Sequence, residues 1–160
     1  MNGAHLHLLL NHTPILGSLF GLLLLLVAVV RRQEVLINAG LITLIVAALL
    51  TIPTQLTGEG AEEVVEDRPG VTHALIHEHE AAAELSLWAM EATGALALVS
   101  LLARRRSAAR APLFTYLTLA GAVVSFGLLA RTGNLGAQIM HPEVRPDFRA
   151  PTKSRAGDAE

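Results

Sequence analysis

The chain has 160 residues, 52% hydrophobic and only 16% charged, where a soluble domain carries roughly 25% charged residues. Its mean hydropathy is positive and its formal net charge is −2; no basic face with interleaved aromatics is present, which leaves no footing for nucleic acid. Cysteine is absent, which excludes disulfides, thiolate zinc sites, cysteine-ligated iron–sulfur clusters and covalently attached c-type haem.

The first ten residues carry no basic side chain, so they lack the n-region of a signal peptide. The first apolar run, residues 14–30, is expected to stay in the protein as a membrane span. Pro14 suits a first helical turn capped by Thr13; the alternative is a longer helix from about Ala4, kinked at Pro14. Gly17 and Gly21 form a small-xxx-small pair that lets another helix approach closely, in this chain or in a second copy. Arg31 and Arg32 lead to the second run, residues 35–52, which is predicted to end at Pro53. Thr57-Gly58-Glu59-Gly60 interrupts regular structure beyond that proline, residues 61–67 read as a short acidic surface helix, and Arg68-Pro69-Gly70 turns the chain. Thr72 can then cap a helix that begins outside the membrane and continues through the third run, residues 81–103. Arg104, Arg105, Arg106 and Arg110 form the next loop. Pro112 opens the fourth run, residues 112–130. A tail rich in Gly, Pro and charge starts at Gly133, and residues 146–160 have the composition of a disordered polar segment.

A bilayer span takes about 20 apolar residues, and lipid offers no partner for an exposed backbone, so each run must be helical. The predicted fold is therefore all-α: a four-helix transmembrane bundle over residues 1–145. Two hairpins, each a histidine-led span, an arginine loop and a return span, pack naturally in that way. Positive loops stay cytoplasmic, so both termini are expected on the outer, periplasmic side of a bacterial inner membrane.

All seven histidines, His5, His7, His12, His73, His77, His79 and His141, then fall on the outer side. Imidazole is the commonest metal ligand and titrates near neutral pH. His73 and His77 are one helical turn apart and share a face. His77, Glu84 and Glu91 are spaced by seven, and Glu80 lies on the same stripe. At 1.5 Å per residue Glu91 lies about 20 Å from Arg104, near the bilayer centre, where a carboxylate faces the bundle interior and is a functional-site hypothesis by default. It is expected to act in a proton path, or to hydrogen-bond a neighbouring Thr or Ser as a neutral acid. His12 lies 19 residues before Arg31 and Glu84 lies 20 before Arg104, so the two should sit at similar depth, with His12 there either as a ligand or as an interfacial residue that caps the helix start or snorkels toward water. His79 projects about 160° away from His77 on an ideal helix and is expected to be solvated. His5, His7 and His141 are weaker ligand candidates, the last beside Met140 as a soft–borderline copper pair. Trp88 and Tyr116 read as packing residues, in the core or at an interface. No hydrolase, kinase or dinucleotide motif is present.

The segment His12-Thr-Pro-Ile-Leu-Gly, then Thr57-Gly58-x-x-Ala61, then His77-x-His79 resembles a family of small bacterial four-helix membrane domains of unknown function, over about residues 5–145. Some of its members occur with Rieske or cupredoxin-like domains, so the resemblance implies a redox role. The expectation is a haem- or metal-binding subunit for electron transfer rather than a stand-alone enzyme. His12 and His77 or His73 would ligate haem b, or copper, zinc or iron, with Glu84 fixing an imidazole tautomer. Its partners would be the lipid bilayer, a redox protein on the outer side, and a second copy of the chain. Two other functions stand beside it: proton or metal-cation transport through the stripe of His77, Glu80, Glu84 and Glu91, and a structural scaffold.

Overall fold

The computed structural model describes residues 3–106 and 108–149, and all regular structure among them is helical. The elements are α1 (Gly3–Leu10), α2 (His12–Arg31), α3 (Glu34–Leu56), α4 (Gly58–Val65), α5 (His73–Arg105) and α6 (Ala111–Met140), followed by a 3-10 turn at Pro142–Val144. Among the described residues, four helical stretches are long and apolar enough to cross a membrane: α1 with α2, α3, α5 and α6.

Local chemistry accounts for the boundaries. Thr72 opens α5 by accepting the Leu75 N–H on its side-chain oxygen at 3.3 Å, as its position ahead of the histidines predicts. Pro112 lies in the first turn of α6, where its missing N–H costs nothing. Pro14 is the third residue of α2 and is buried. Thr13 makes no cap there, because the chain arrives already helical: Asn11 keeps φ −60° and ψ −26°. The longer of the two expected first helices is therefore the observed one. Its interruption at Asn11 follows from Pro14, which has no N–H for the carbonyl of Leu10; that carbonyl faces the Thr54 hydroxyl of α3 at 3.4 Å. The link from α2 to α3 is tight, with Arg32 in the left-handed region (φ 54°) and the Gln33 N–H returning to the Ala28 carbonyl at 3.0 Å.

Two boundaries differ from the sequence reading. Pro53 does not end the second span but sits inside α3, which continues to Leu56. The turn beyond it is held by the Thr57 hydroxyl on the Pro53 and Thr54 carbonyls, at 3.1 and 2.9 Å. Likewise the segment from Gly133 is helix, part of α6 up to Met140. Glycine disfavours a helix by about 1 kcal/mol, but Gly133 and Gly136 face Ile15 and His79 so closely that a Cβ would come within 2.8 and 3.0 Å of them. Packing holds the helix where local propensity does not. The acidic helix is present as α4, starting at Gly58. The disordered segment assigned to residues 146–160 falls, from residue 150 onward, outside the described residues.

The long helices sit at four corners. α2 packs on α3, α3 on α5, α5 on α6 and α6 on α2, so α2 and α5 occupy opposite corners. Polarity is inverted relative to a water-soluble bundle. Ser18, Thr51, Ser86, Thr93, Ser100, Thr115, Thr118 and Ser125 are buried, while Phe20, Leu23, Val27, Ile42, Leu49, Leu98, Leu117 and Val124 face outward. That is the arrangement of a bundle solvated by lipid, where small and hydroxyl-bearing residues hold helices together. Three hydroxyl pairs join α5 to α6: Ser86–Thr132 at 2.8 Å, Thr93–Ser125 at 2.9 Å and Ser100–Thr115 at 2.8 Å. Each such bond contributes about 0.6 kcal/mol in a membrane. Gly17 and Gly21 meet Ala47 and Leu44 of α3, and Gly94 meets Ala48, so the small-xxx-small pair of α2 is used within the chain. Trp88 and Tyr116 do not pack in the core; they are 66% and 58% exposed.

The two ends of the bundle differ in chemistry. At one, Arg104 of α5 pairs with Glu34 of α3 and donates to Asn38 at 3.4 Å. At the other, α1 and α4 cross with Gly3 against Gly60, and Arg145 donates to the carbonyls of Gln138 and Gly70 at 2.8 and 2.9 Å. All seven histidines belong to this second end, here termed the crown.

Candidate functional site

The stripe expected on α5 is present as a row along one flank. His77, Glu80 and Glu84 are exposed, and with Ala81, Leu87, Trp88 and Gln55 of α3 they line a groove of about 400 Å³. Their position follows from helical spacing. The residues that α5 turns toward α6 are His79, Ser86, Thr93 and Ser100, and those turned toward α3 include Gly94. His77, Glu80 and Glu84 fall beyond the α3 side, on the outer surface. His73, at the first turn of α5, is also exposed.

At the aqueous end of the row, α4 brings Glu62 within hydrogen-bonding reach of Glu80. Sharing a hydrogen bond with Glu80 raises the Glu62 pKa above its ordinary value; slight burial and the Glu80 charge act in the same sense, and the nearby His73 opposes them. The folded protein thus binds this proton more tightly than the unfolded chain does. The contact between α4 and α5 strengthens as pH falls from the raised value toward the ordinary carboxylate range, and weakens as pH rises through it. In Glu80→Gln the Glu62 carboxyl is expected to titrate at lower pH than in the wild type, followed by carbon-13 NMR of side-chain carboxyls; an unchanged titration would remove Glu80 as the cause.

Glu91 lies two turns below Glu84 on the same flank and is half-buried. Its Oε1 is enclosed and meets no hydrogen-bond donor among the described residues. The Thr or Ser partner expected for a packed neutral acid is therefore not found for this oxygen; the hydroxyls of Thr93 and Ser125 are engaged with each other on the adjacent face.

The crown histidines divide differently from the sequence expectation. His12 is exposed, and α2 stands at the corner opposite α5, so His12 and His77 do not face each other across one helix interface. His5 is exposed as well. His141 pairs with Glu143 at 3.0 Å on the surface; the Glu143 pKa is lowered first by a bond from the backbone N–H of Glu143 and then by the bond from His141. His7 and His79 are instead half-buried. The Nδ1–H of His7 donates to the Thr54 carbonyl at 3.1 Å and lies 3.2 Å from the Thr57 hydroxyl. The Nδ1–H of His79 donates to the Thr132 carbonyl at 3.1 Å. The solvated position expected for His79 is thus overturned, because α6 continues past Gly133 and Gly136 gives the ring a surface to lie against. Asn11, one residue before His12, turns inward, and its Oδ1 is buried without a donor among the described residues.

A heptad-like signal in the sequence could have found both inward residues. His79, Ser86, Thr93 and Ser100 recur at intervals of seven, and His7, Asn11, Pro14, Ser18 and Gly21 at intervals of three and four. These are the interior faces of α5 and of α1 with α2.

Among the described residues, no group of three or more His, Asp or Glu side chains is placed to hold a metal ion. The chain matches no protein-family model, no curated protein and no solved structure. Its construction is that of a multi-pass helical membrane protein.

Proposed function

We propose that the protein handles protons or metal cations at and within the membrane, along the row Glu62, His73, His77, Glu80, Glu84 and Glu91. The observation that carries this reading is the enclosed carboxyl oxygen of Glu91, without a donor among the described residues, placed below a row of titratable groups that open to water through the groove. A carboxyl group held at such depth is costly to keep for packing alone. Acids and imidazoles one to two turns apart are the components of a proton relay, and the shared hydrogen bond at Glu62 and Glu80 supplies a proton-loading point at its mouth.

The electron-transfer reading has less support. A bis-histidine haem needs two imidazoles from facing helices, and His12 and His77 stand exposed on opposite corners. A Soret band in the purified protein would overturn this preference. The test of the proposal is reconstitution into vesicles loaded with a pH-sensitive dye. An imposed proton gradient is expected to collapse faster than in protein-free vesicles; equal rates would leave the scaffold function standing.

The arginine-rich end, with Arg31, Arg32, Arg104, Arg105, Arg106 and Arg110, is the cytoplasmic one under this proposal, as the positive-inside rule requires. A cysteine at Gly60 is then expected to react with a membrane-impermeant thiol reagent in intact cells, and one at Gln33 to resist it. The reverse pattern would invert the bundle and place the crown in the cytoplasm.

A further inference from the structure

We infer that the groove between α3 and α5 seats the head of a cationic amphiphile, an aliphatic ammonium group on an apolar chain. The inference deepens the proposed function: it rests on the reading of this row as cation-attracting and names the cation that its exposed part admits. It does not require that protons pass Glu91.

The lining changes chemistry along the membrane normal. Glu80, Glu84 and Trp88 follow one another at one-turn intervals and share a flank of α5, and Gln55 borders the same groove from α3. Glu84 lies 20 residues above Arg104, about 30 Å along a helix, which matches the thickness of the hydrocarbon core. Gln55 lies 21 residues above Glu34, the partner of Arg104, and so reaches the same level on α3. The groove therefore straddles the boundary between head groups and acyl chains on the crown side. His77 and Glu80 stand above that boundary, Glu84 and Gln55 at it, and Leu87 and Trp88 just below it. An amphiphile has the same order, a polar head above an apolar chain.

The charge of the head follows from the lining. Glu80 and Glu84 attract a positive group, and the negative face of an indole holds an ammonium ion by a cation–π contact. Trp88 is 66% exposed, so its ring is left uncovered by the protein. No Lys or Arg is among the lining residues, and a phosphate would find no partner there. A zwitterionic phospholipid would bring its phosphate against two carboxylates, whereas a lipophilic amine or quaternary ammonium carries no such penalty.

The size of the head follows from the space. A volume of about 400 Å³ is that of a small-molecule site and far exceeds a bare ion. Among the described residues, no group of three His, Asp or Glu is placed to hold a metal ion, and this includes His77, Glu80 and Glu84. Carboxylates that do not converge on a point charge can still share a diffuse one.

The test uses the full chain purified in an uncharged detergent. Trp88 is the single tryptophan of the chain, so its fluorescence reports on the groove directly. Titration with dodecylammonium, an amine that stays protonated at neutral pH, is expected to change this fluorescence saturably. Native mass spectrometry should count one amphiphile per chain. Dodecanol, with the same chain and no charge, should give neither result, and phosphatidylethanolamine should bind more weakly than dodecylammonium. The double variant Glu80→Gln, Glu84→Gln should weaken binding by about 10-fold or more, the combined scale of two exposed ion pairs. By mass spectrometry, Trp88→Leu should weaken it by roughly 2- to 30-fold, the range of a cation–π contact, and Trp88→Phe by less. Glu66→Gln and Tyr116→Leu remove an exposed acid and an exposed aromatic that do not line the groove, and should bind like the wild type. Binding that does not saturate, equal binding of dodecanol or phosphatidylethanolamine, or undiminished affinity in the double variant would each overturn the inference. The dye-loaded vesicles keep the two readings apart. Proton conductance without dodecylammonium binding sinks this inference alone, and dodecylammonium binding without conductance upholds it while the conduit falls.

Discussion

Glu91→Gln is expected to abolish the proton conductance of reconstituted vesicles, lowering it by about 100-fold or more, the scale on which a positioned proton donor or acceptor contributes. The substitution is chosen for what it preserves. Glutamine keeps the length and shape of a carboxyl group and its capacity to accept a hydrogen bond, so helix content and thermal stability should match the wild type. It removes the ionisable proton. Glu84→Gln should have a smaller effect, since Glu84 is exposed on the groove and water can carry a proton past it, whereas the Oε1 of Glu91 is enclosed. A Glu91→Gln protein that conducts like the wild type would reduce Glu91 to a packing residue and take the conduit proposal with it.

Gly94→Val carries the largest expected cost in stability. A Cβ at Gly94 would stand 2.4 Å from the Cβ of Ala48, and that atom is fixed to the backbone of α3, so no side-chain rotation relieves the overlap. Overpacking a close interface costs about 1–3 kcal/mol and occasionally more; valine here should reach about 3 kcal/mol or beyond, read from denaturant unfolding in detergent. Combining it with Ala48→Gly should recover part of the loss. Gly127→Val is the control, because a Cβ there meets nothing within 4 Å. If the two valine variants unfold alike, α3 and α5 do not pack as closely as described.

What the sequence made legible was whatever is decided locally. Residues 81–103 are apolar enough to be recognised alone, Thr72 caps through its own hydroxyl, and Pro112 starts a helix because its missing N–H is harmless in a first turn. What stayed hidden was decided between elements. Pro53 looks like a terminus until Thr57 holds the following turn. Gly133 and Gly136 look like a linker until Ile15 and His79 occupy the space that a side chain would fill. The site followed the same division. The order of His77, Glu80, Glu84 and Glu91 along α5 is a matter of spacing and was readable. Which imidazoles turn inward depends on where α6 ends and on how α1 enters the bundle, and the inward position of His79 stayed hidden for that reason.

The length of α5 has a mechanical consequence. Its 33 residues extend about 50 Å, whereas a bilayer core takes up only about 30 Å. One end of this rod carries His73 and His77 in the crown, and the other carries Arg104, clamped to Glu34 and Asn38 of α3. A continuous helix without proline does not bend sharply in between. Any molecule that tips the crown therefore works a lever whose far arm is the arginine clamp. A tilt imposed at one end of α5 would be felt at the other as a shift against α3, past the close approach of Gly94 to Ala48.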